Sequence, residues 1–289
     1  MLISDPRNPD IILAATSGGL YKSINGGVNW SLKSSNTNNY QDIKYNPGNP
    51  TIVYATEGGR FYRSINSGDS WTQITLPVPG ARMVIGVSPA NPSYVYILQT
   101  NGPFAGLLRS TDSGLTFTIR CTTPNIMDNT CDGSSNSFQS MYDLCIAVDP
   151  TNAEIIYSGG INIWKSIDGG TTFSINSFWV YTVSCLNKPI VHADQHVLAW
   201  SPLNGKLYAG NDGGIYNTSN GGSSWTNISN GLAITQVYKL GQSATSEPLE
   251  ISGYQDNGTA TNVGSHFTSV LGGDGMECID IKMCGGVIM

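Results

Sequence analysis

The chain has 289 residues, of which 34 are glycine and 12% are charged, with a formal net charge of -6. Long helices want Ala, Leu, Glu and Lys, so a composition rich in Gly, Asn and Ser points instead to many short strands joined by turns. Only 14 residues are Lys or Arg and they form no basic stripe, so nucleic acid is not an expected partner; no run approaches 18 apolar residues, so no membrane span is expected in this segment.

At the N-terminus, Leu2-Ile3-Ser4 reads as the tail of a strand, without the basic start and apolar stretch of a signal peptide. A Pro/Asn turn follows (Asp5-Pro6-Arg7-Asn8-Pro9), then the β-rich run Ile11-Ile12-Leu13, then the octet Ser23-Ile24-Asn25-Gly26-Gly27-Val28-Asn29-Trp30. This order recurs. Asn46-Pro47-Gly48-Asn49-Pro50 precedes Ile52-Val53-Tyr54 and an octet from Ser64 through Asn66 to Trp71. Ser88-Pro89-Ala90-Asn91-Pro92 precedes Tyr94-Val95-Tyr96 and an octet from Ser110 through Asp112 to Phe117. Asp149-Pro150-Thr151-Asn152 precedes Ile155-Ile156-Tyr157 and an octet from Ser166 through Asp168 to Phe173. Ser201-Pro202-Leu203-Asn204 precedes Leu207-Tyr208 and an octet from Thr218 through Asn220 to Trp225.

The octet has the chemistry of a hairpin turn. Asp or Asn bonds nearby backbone N–H groups, Gly supplies a positive φ, and the closing aromatic anchors the next strand. Each unit reads as strand A, Pro/Asn turn, strand B, Gly-rich turn, strand C, octet turn, strand D. Four antiparallel strands per unit of roughly 40 to 60 residues make a propeller blade. The predicted fold is an all-β propeller with blades at about 1–34, 35–76, 77–120, 141–177, 195–230 and 234–270. A degenerate sixth octet ends in Phe267, and another blade is expected to start over 276–289. Both ends cut through a blade, so a piece of a longer protein is expected, which also accounts for the missing signal.

The octets resemble the Asp-box (BNR) repeats of sialidases, sortilin-type receptor domains and xyloglucanase-type glycoside hydrolases. The stretches His192-Ala193-Asp194-Gln195-His196, Gly210-Asn211-Asp212-Gly213-Gly214-Ile215-Tyr216, Gln255-Asp256-Asn257-Gly258-Thr259 and Gly272-Gly273-Asp274-Gly275 are similar to those of large secreted, sortilin-like bacterial propeller proteins. That resemblance implies an extracellular or cell-surface protein. It carries two functions: binding of a polysaccharide or protein ligand, or glycoside hydrolysis by two acidic residues. The xyloglucanase-type enzymes carry a catalytic Asp in a stretch similar to the one around Asp212, and a second in a Gly-Asp-rich loop that resembles the one around Asp274 only loosely. The sialidase alternative lacks its three-arginine signature.

Strand order puts the Gly-rich turns and the D-to-A loops at the sheet ends opposite the octets. Candidate catalytic residues there are Asp212, Asp256 and Asp274, each of which reads first as a residue of a Gly-containing turn. Candidate ligand-binding residues are His192, Asp194, His196, Gln255, Asn257 and Glu277, and Glu57 and Asp143 share that end. If extended, His192, Asp194 and His196 point to one face and offer either a metal set or a hydrogen-bonded structural cluster. Neither a cofactor nor a bound metal is expected. Cys121 and Cys131 lie ten residues apart in one Asn-, Ser- and Gly-rich loop and predict a local disulfide; Cys145 pairs with Cys185 or stays a buried thiol, and Cys278 and Cys284 are unassigned.

Overall fold

Strand B of the second, third and fourth units is covered on both faces. In the structure, a computed structural model that describes residues 1–78, 80–232, 234–243, 249–264 and 266–276, every residue of the strands Val53–Glu57, Val95–Thr100 and Ile156–Gly159 is buried. The fold is an all-β propeller, with six four-stranded antiparallel blades among the described residues. The first sheet is β1 (Leu2–Asp5), β2 (Asn8–Thr16), β3 (Gly19–Ser23) and β4 (Ser31–Leu32). The second is β5 (Tyr40–Tyr45), β6 (Val53–Glu57), β7 (Arg60–Ser64) and β8 (Thr72–Ile74). The third is β9 (Arg82–Val87), β10 (Val95–Thr100), β11 (Phe104–Ser110) and β12 (Thr118–Cys121). The fourth is β13 (Cys145–Val148), β14 (Ile156–Gly159), β15 (Ile163–Ser166) and β16 (Ser174–Ser177). The fifth is β17 (Gln195–Trp200), β18 (Leu207–Asn211), β19 (Gly214–Thr218) and β20 (Thr226–Asn227), and the sixth is β21 (Val237–Gln242), β22 (Leu249–Tyr254), β23 (Gly258–Val263) and β24 (His266–Leu271). Among the described residues the only helical element is a short 3-10 turn at Val183–Cys185. No helix there is long and apolar enough to cross a membrane.

Two compact units divide the chain: Met1–Asn211 with Tyr216–Thr226, and Asp212–Ile215 with the chain from Asn227 onward. In the first unit the core lies between successive sheets. Leu13, Leu20, Ile43, Val53 and Tyr62 fill the space between the first two. Tyr54, Phe61, Met83, Ile97 and Phe117 fill the next, Tyr96, Leu107, Ile156 and Trp164 the third, and Tyr157, Ile163, Leu198 and Leu207 the fourth. Burying a Leu, Ile or Phe side chain contributes roughly 1.5–3 kcal/mol, so these layers are the main adhesive between sheets.

The five octets fold alike. The leading hydroxyl donates to the Asp or Asn side chain and accepts the fifth-position Gly N–H: Ser23 to Asn25 at 3.0 Å and Gly27 to Ser23 at 2.9 Å, and likewise from Ser64, Ser110, Ser166 and Thr218. The same Asn66, Asp112, Asp168 or Asn220 Oδ1 accepts the seventh-position N–H. Gly27, Gly68, Gly114, Gly170 and Gly222 have φ between 82° and 91°, which an L side chain resists. At Gly170 a Cβ would also strike Leu107. Phe117 and Phe173 are buried as expected, and Trp71 and Trp225 pack against core layers, but Trp30 is 40% exposed because no earlier described sheet lies beside the first octet.

A sheet-to-sheet latch joins these turns. In the first four octets the residue before the hydroxyl is Lys22, Arg63, Arg109 or Lys165, and three of these reach the next octet: Lys22 Nζ to Asp69 at 2.9 Å, Arg63 Nε to the Ser113 carbonyl at 2.8 Å and Lys165 Nζ to the Gly221 carbonyl at 3.0 Å. Arg109 instead pairs with Glu154 at 3.0 Å, while Arg120 reaches the Asp168 and Gly169 carbonyls.

Candidate functional site

In the second unit three turns converge. Asp212 lies in the tight turn after β18, Asp256 in the turn between β22 and β23 with φ 60°, and Asp274 just beyond β24. Asp274 Oδ1 accepts the Asp256 N–H at 3.0 Å, and carboxylate oxygens of Asp212 and Asp256 lie within 4.8 Å of one another. Burial, then the hydrogen bond and charge of Asp212, with the charge of Asp274 added, push the Asp256 carboxyl up to about 6. Asn257 Nδ2 donates to the Asp212 carbonyl and to the Gln255 carbonyl, both at 3.1 Å, so Gln255 takes part through its backbone while its side chain is exposed. Beside them runs an open groove of about 480 Å³ whose polar lining includes Asp212, Asn227, Ser229, Asn230, Thr235 and Asn257. Glu277, Cys278, Cys284 and the further blade expected over 276–289 lie outside the described residues, except for Met276, which is in no strand.

In the first unit the strands β9, β13 and β17 run side by side, and the loops 122–144 and 178–194 meet at their N-terminal ends. Asp143 is completely buried there. No donor among the described residues reaches either of its oxygens; what faces it is the carboxylate of Asp194. Burial, then the charge of Asp194, push the Asp143 carboxyl up to about 8, against a weaker pull from Arg82. Arg82 itself donates to the Ser140 carbonyl at 2.7 Å. Asp194 is buried, with φ 63°, and accepts from Gln139 Nε2 at 3.1 Å. Gln195 donates to the His192 carbonyl and accepts from Asn211 at 3.1 Å.

The left-handed backbone at Asp194 breaks the extended stretch on which the one-face arrangement of His192, Asp194 and His196 depended. His192 is half-buried, with its Nδ1 near the Ala193 carbonyl. His196 is exposed and meets the Tyr142 ring edge-on at 4.8 Å. Glu57 is held by Asn38 at 3.0 Å, Arg60 at 3.0 Å and the Tyr62 hydroxyl at 2.8 Å, a closed structural cluster. Sequence reasoning missed the pairing of Asp143 with Asp194 and the part of Gln139, because each lies in a long loop with no repeat register.

The expected Cys121–Cys131 disulfide is corrected: Cys131 bonds Cys185, with Cα atoms 6.1 Å apart, and Cys121 is free. Cys121 ends β12, opposite Leu107, and packs on the core layer, so the strand holds it away from its own loop. The alternative Cys145–Cys185 pairing fails as well; Cys145 is a free, buried thiol whose Sγ–H donates to the Gln195 carbonyl at 3.5 Å. The bond joins loop 122–144 to loop 178–194, as does the Trp179 indole, which donates to the Asn129 carbonyl at 3.1 Å.

No protein-family model matches the chain, and no curated protein sequence matches it. Solved structures do share the fold. The GH74 enzyme of Niastella koreensis superposes with a TM-score of 0.58 at 20% identity, covering 94% of this chain and 45% of its own. The GH74 xyloglucanase from Xanthomonas campestris gives a TM-score of 0.59 at 14% identity, covering 93% of this chain and 45% of its own. A structure of YCF48 bound to D1 peptide gives 0.51 at 13% identity, covering 91% of this chain and 82% of its own. The chain therefore spans under half the length of these GH74 enzymes. At such identities the likeness shows the β-propeller and nothing of its chemistry.

Proposed function

We propose that the chain is part of a single Asp-box propeller of the sortilin-like kind, secreted or held at a cell surface, that binds a glycan at the turns of Asp212, Asp256 and Asn257. The observation that carries this reading is the closeness of Asp212 and Asp256, whose oxygens lie within 4.8 Å in a hydrogen-bonded pair. An inverting glycosidase keeps its two carboxyls roughly 6.5–9.5 Å apart to admit water, so this pair suits holding hydroxyls better than inverting hydrolysis. The groove beside it offers Asn227, Ser229, Asn230 and Thr235, neutral donors and acceptors matched to sugar hydroxyls.

A calorimetric panel of neutral oligosaccharides, xyloglucan and mixed-linkage glucan included, alongside a D1-like peptide, tests this reading. The expected result is oligosaccharide binding without release of reducing ends, weakened about tenfold or more by Asn257→Ala, the cost of one lost hydrogen bond with its partner unsatisfied. Peptide binding alone would favour a protein ligand. Reducing-end release that Asp212→Asn abolishes would replace the binding reading with the glycoside hydrolase one, the function carried by the GH74 neighbours.

A further inference from the structure

We infer that Asp143 and Asp194 form a cation site that ties loop 122–144 to loop 178–194 and takes a hard divalent ion such as Ca²⁺. The starting point is Asp143. Its side chain is completely buried, and neither oxygen is reached by a donor among the described residues. A buried acceptor without a donor costs about 1–3 kcal/mol, and more when charged, so native structures give such a group a partner. The group that faces it, Asp194, is another acceptor and is itself buried. Two buried carboxylates aimed at each other must share either a proton or a cation between them. Arg82 attracts Asp143 by charge but gives neither of its oxygens a hydrogen bond, and its NH1 donates to the Ser140 carbonyl at 2.7 Å.

The surrounding donors select the ion. Asp143 and Asp194 supply carboxylate oxygens, and the Gln139 amide, which sits 3.1 Å from Asp194 Oδ1, presents its oxygen instead of its nitrogen if turned over. Hard oxygen donors suit Ca²⁺, which takes six to eight of them, with water completing the shell. The neighbouring Cys145 gives no soft ligand, since its thiol is buried and donates to the Gln195 carbonyl. Asp194 is held in the left-handed region at φ 63° and is buried. The Cys131–Cys185 bond draws together the two loops that carry the pair.

The test uses the whole chain, stripped with a chelator, and CaCl2 as the probe. Calorimetry should show Ca²⁺ binding, and a hundredfold excess over Kd should raise Tm by roughly 5 °C or more. Asp143→Asn, checked for folding by circular dichroism, should lose that response. Hydrogen exchange of the unaltered protein gives a second readout, in which Ca²⁺ should protect residues 122–144 and 178–194 about tenfold. The inference is overturned if 10 mM Ca²⁺ neither binds nor protects these loops, or if Asp143→Asn binds Ca²⁺ as the parent does. In either case the pair holds a proton alone.

Discussion

Replacing Cys185 with Ser removes a bond that closes a loop of 54 residues and joins two segments with little core of their own. In the chain-entropy account, cross-linking at that separation lowers the entropy of the unfolded chain enough to stabilise the fold by about 4 kcal/mol. The Cys121–Cys131 pairing suggested by sequence spacing would have closed only ten residues and contributed about 3 kcal/mol by the same relation. For a chain of this size each kcal/mol moves Tm by roughly 2–4 °C, so Cys185→Ser should lower it by roughly 8–16 °C. Cys121→Ser should change it far less, because Cys121 is a half-buried thiol at a strand end. Thermal melts of both variants without reductant, read by circular dichroism, make the comparison. A large loss for Cys121→Ser together with little for Cys185→Ser would refute the reasoning, and so would a non-reduced digest that links Cys121 to Cys131.

The octets provide their own control for a second prediction. Asn25, Asn66 and Asn220 make the same Oδ1 bonds as Asp112 and Asp168, so Asp112→Asn should be nearly neutral, while Asp112→Ala should cost about 1–2 kcal/mol in urea unfolding. Arg63→Met strips the Ser113 carbonyl of its partner and should cost about 1–3 kcal/mol, against little for the same change at exposed Arg60 beyond its ion pair. Acid should act in two directions. Burial raises the Asp112 and Asp168 carboxyls, but hydrogen bonds from Ser110 and Thr116 at the first, and Thr172 and Ser166 at the second, outweigh it and hold both at about 2. Their stabilisation is therefore full above pH about 4 and is lost as pH falls toward 2. Asp256, raised to about 6, works the other way: the folded state holds the extra proton, and stability falls as pH rises from about 4 to about 6. Asp143, raised to about 8, adds a slope of the same sign, so Asp256→Asn should reduce the fall between pH about 4 and about 6 in a pH series of melts and leave the acid limb intact.

The repeated parts of this protein were legible in its sequence because each is a local event. The octet turn is closed by bonds within eight residues, from the Ser166 hydroxyl to Asp168 and from the Thr172 N–H to Asp168, so residue identity and spacing specify it wherever it occurs. Strands such as Val95–Thr100 follow from an unbroken apolar run between two turn signals, and the sheet order follows from connections too short to cross over. The basic residue before the octet hydroxyl was equally visible, yet its partner was not, since Arg63 and Ser113 are 50 positions apart and meet only when two sheets stack. The same limit explains the misplaced disulfide. Spacing favoured Cys121 and Cys131 in one loop, but β12 fixes Cys121 on the core layer while the meeting of two long loops brings Cys185 to Cys131. The one-face reading of His192, Asp194 and His196 assumed an extended backbone, and the φ of 63° at Asp194 is set by tertiary packing that no period in the sequence encodes. Asp143 and Asp194 stand 51 residues apart, and their burial against one another depends on how loops 122–144 and 178–194 fold over the strand ends. Local bonding writes itself into short patterns; contacts between loops of irregular length do not, because many chain paths satisfy the same sequence spacing and only the packed fold selects one.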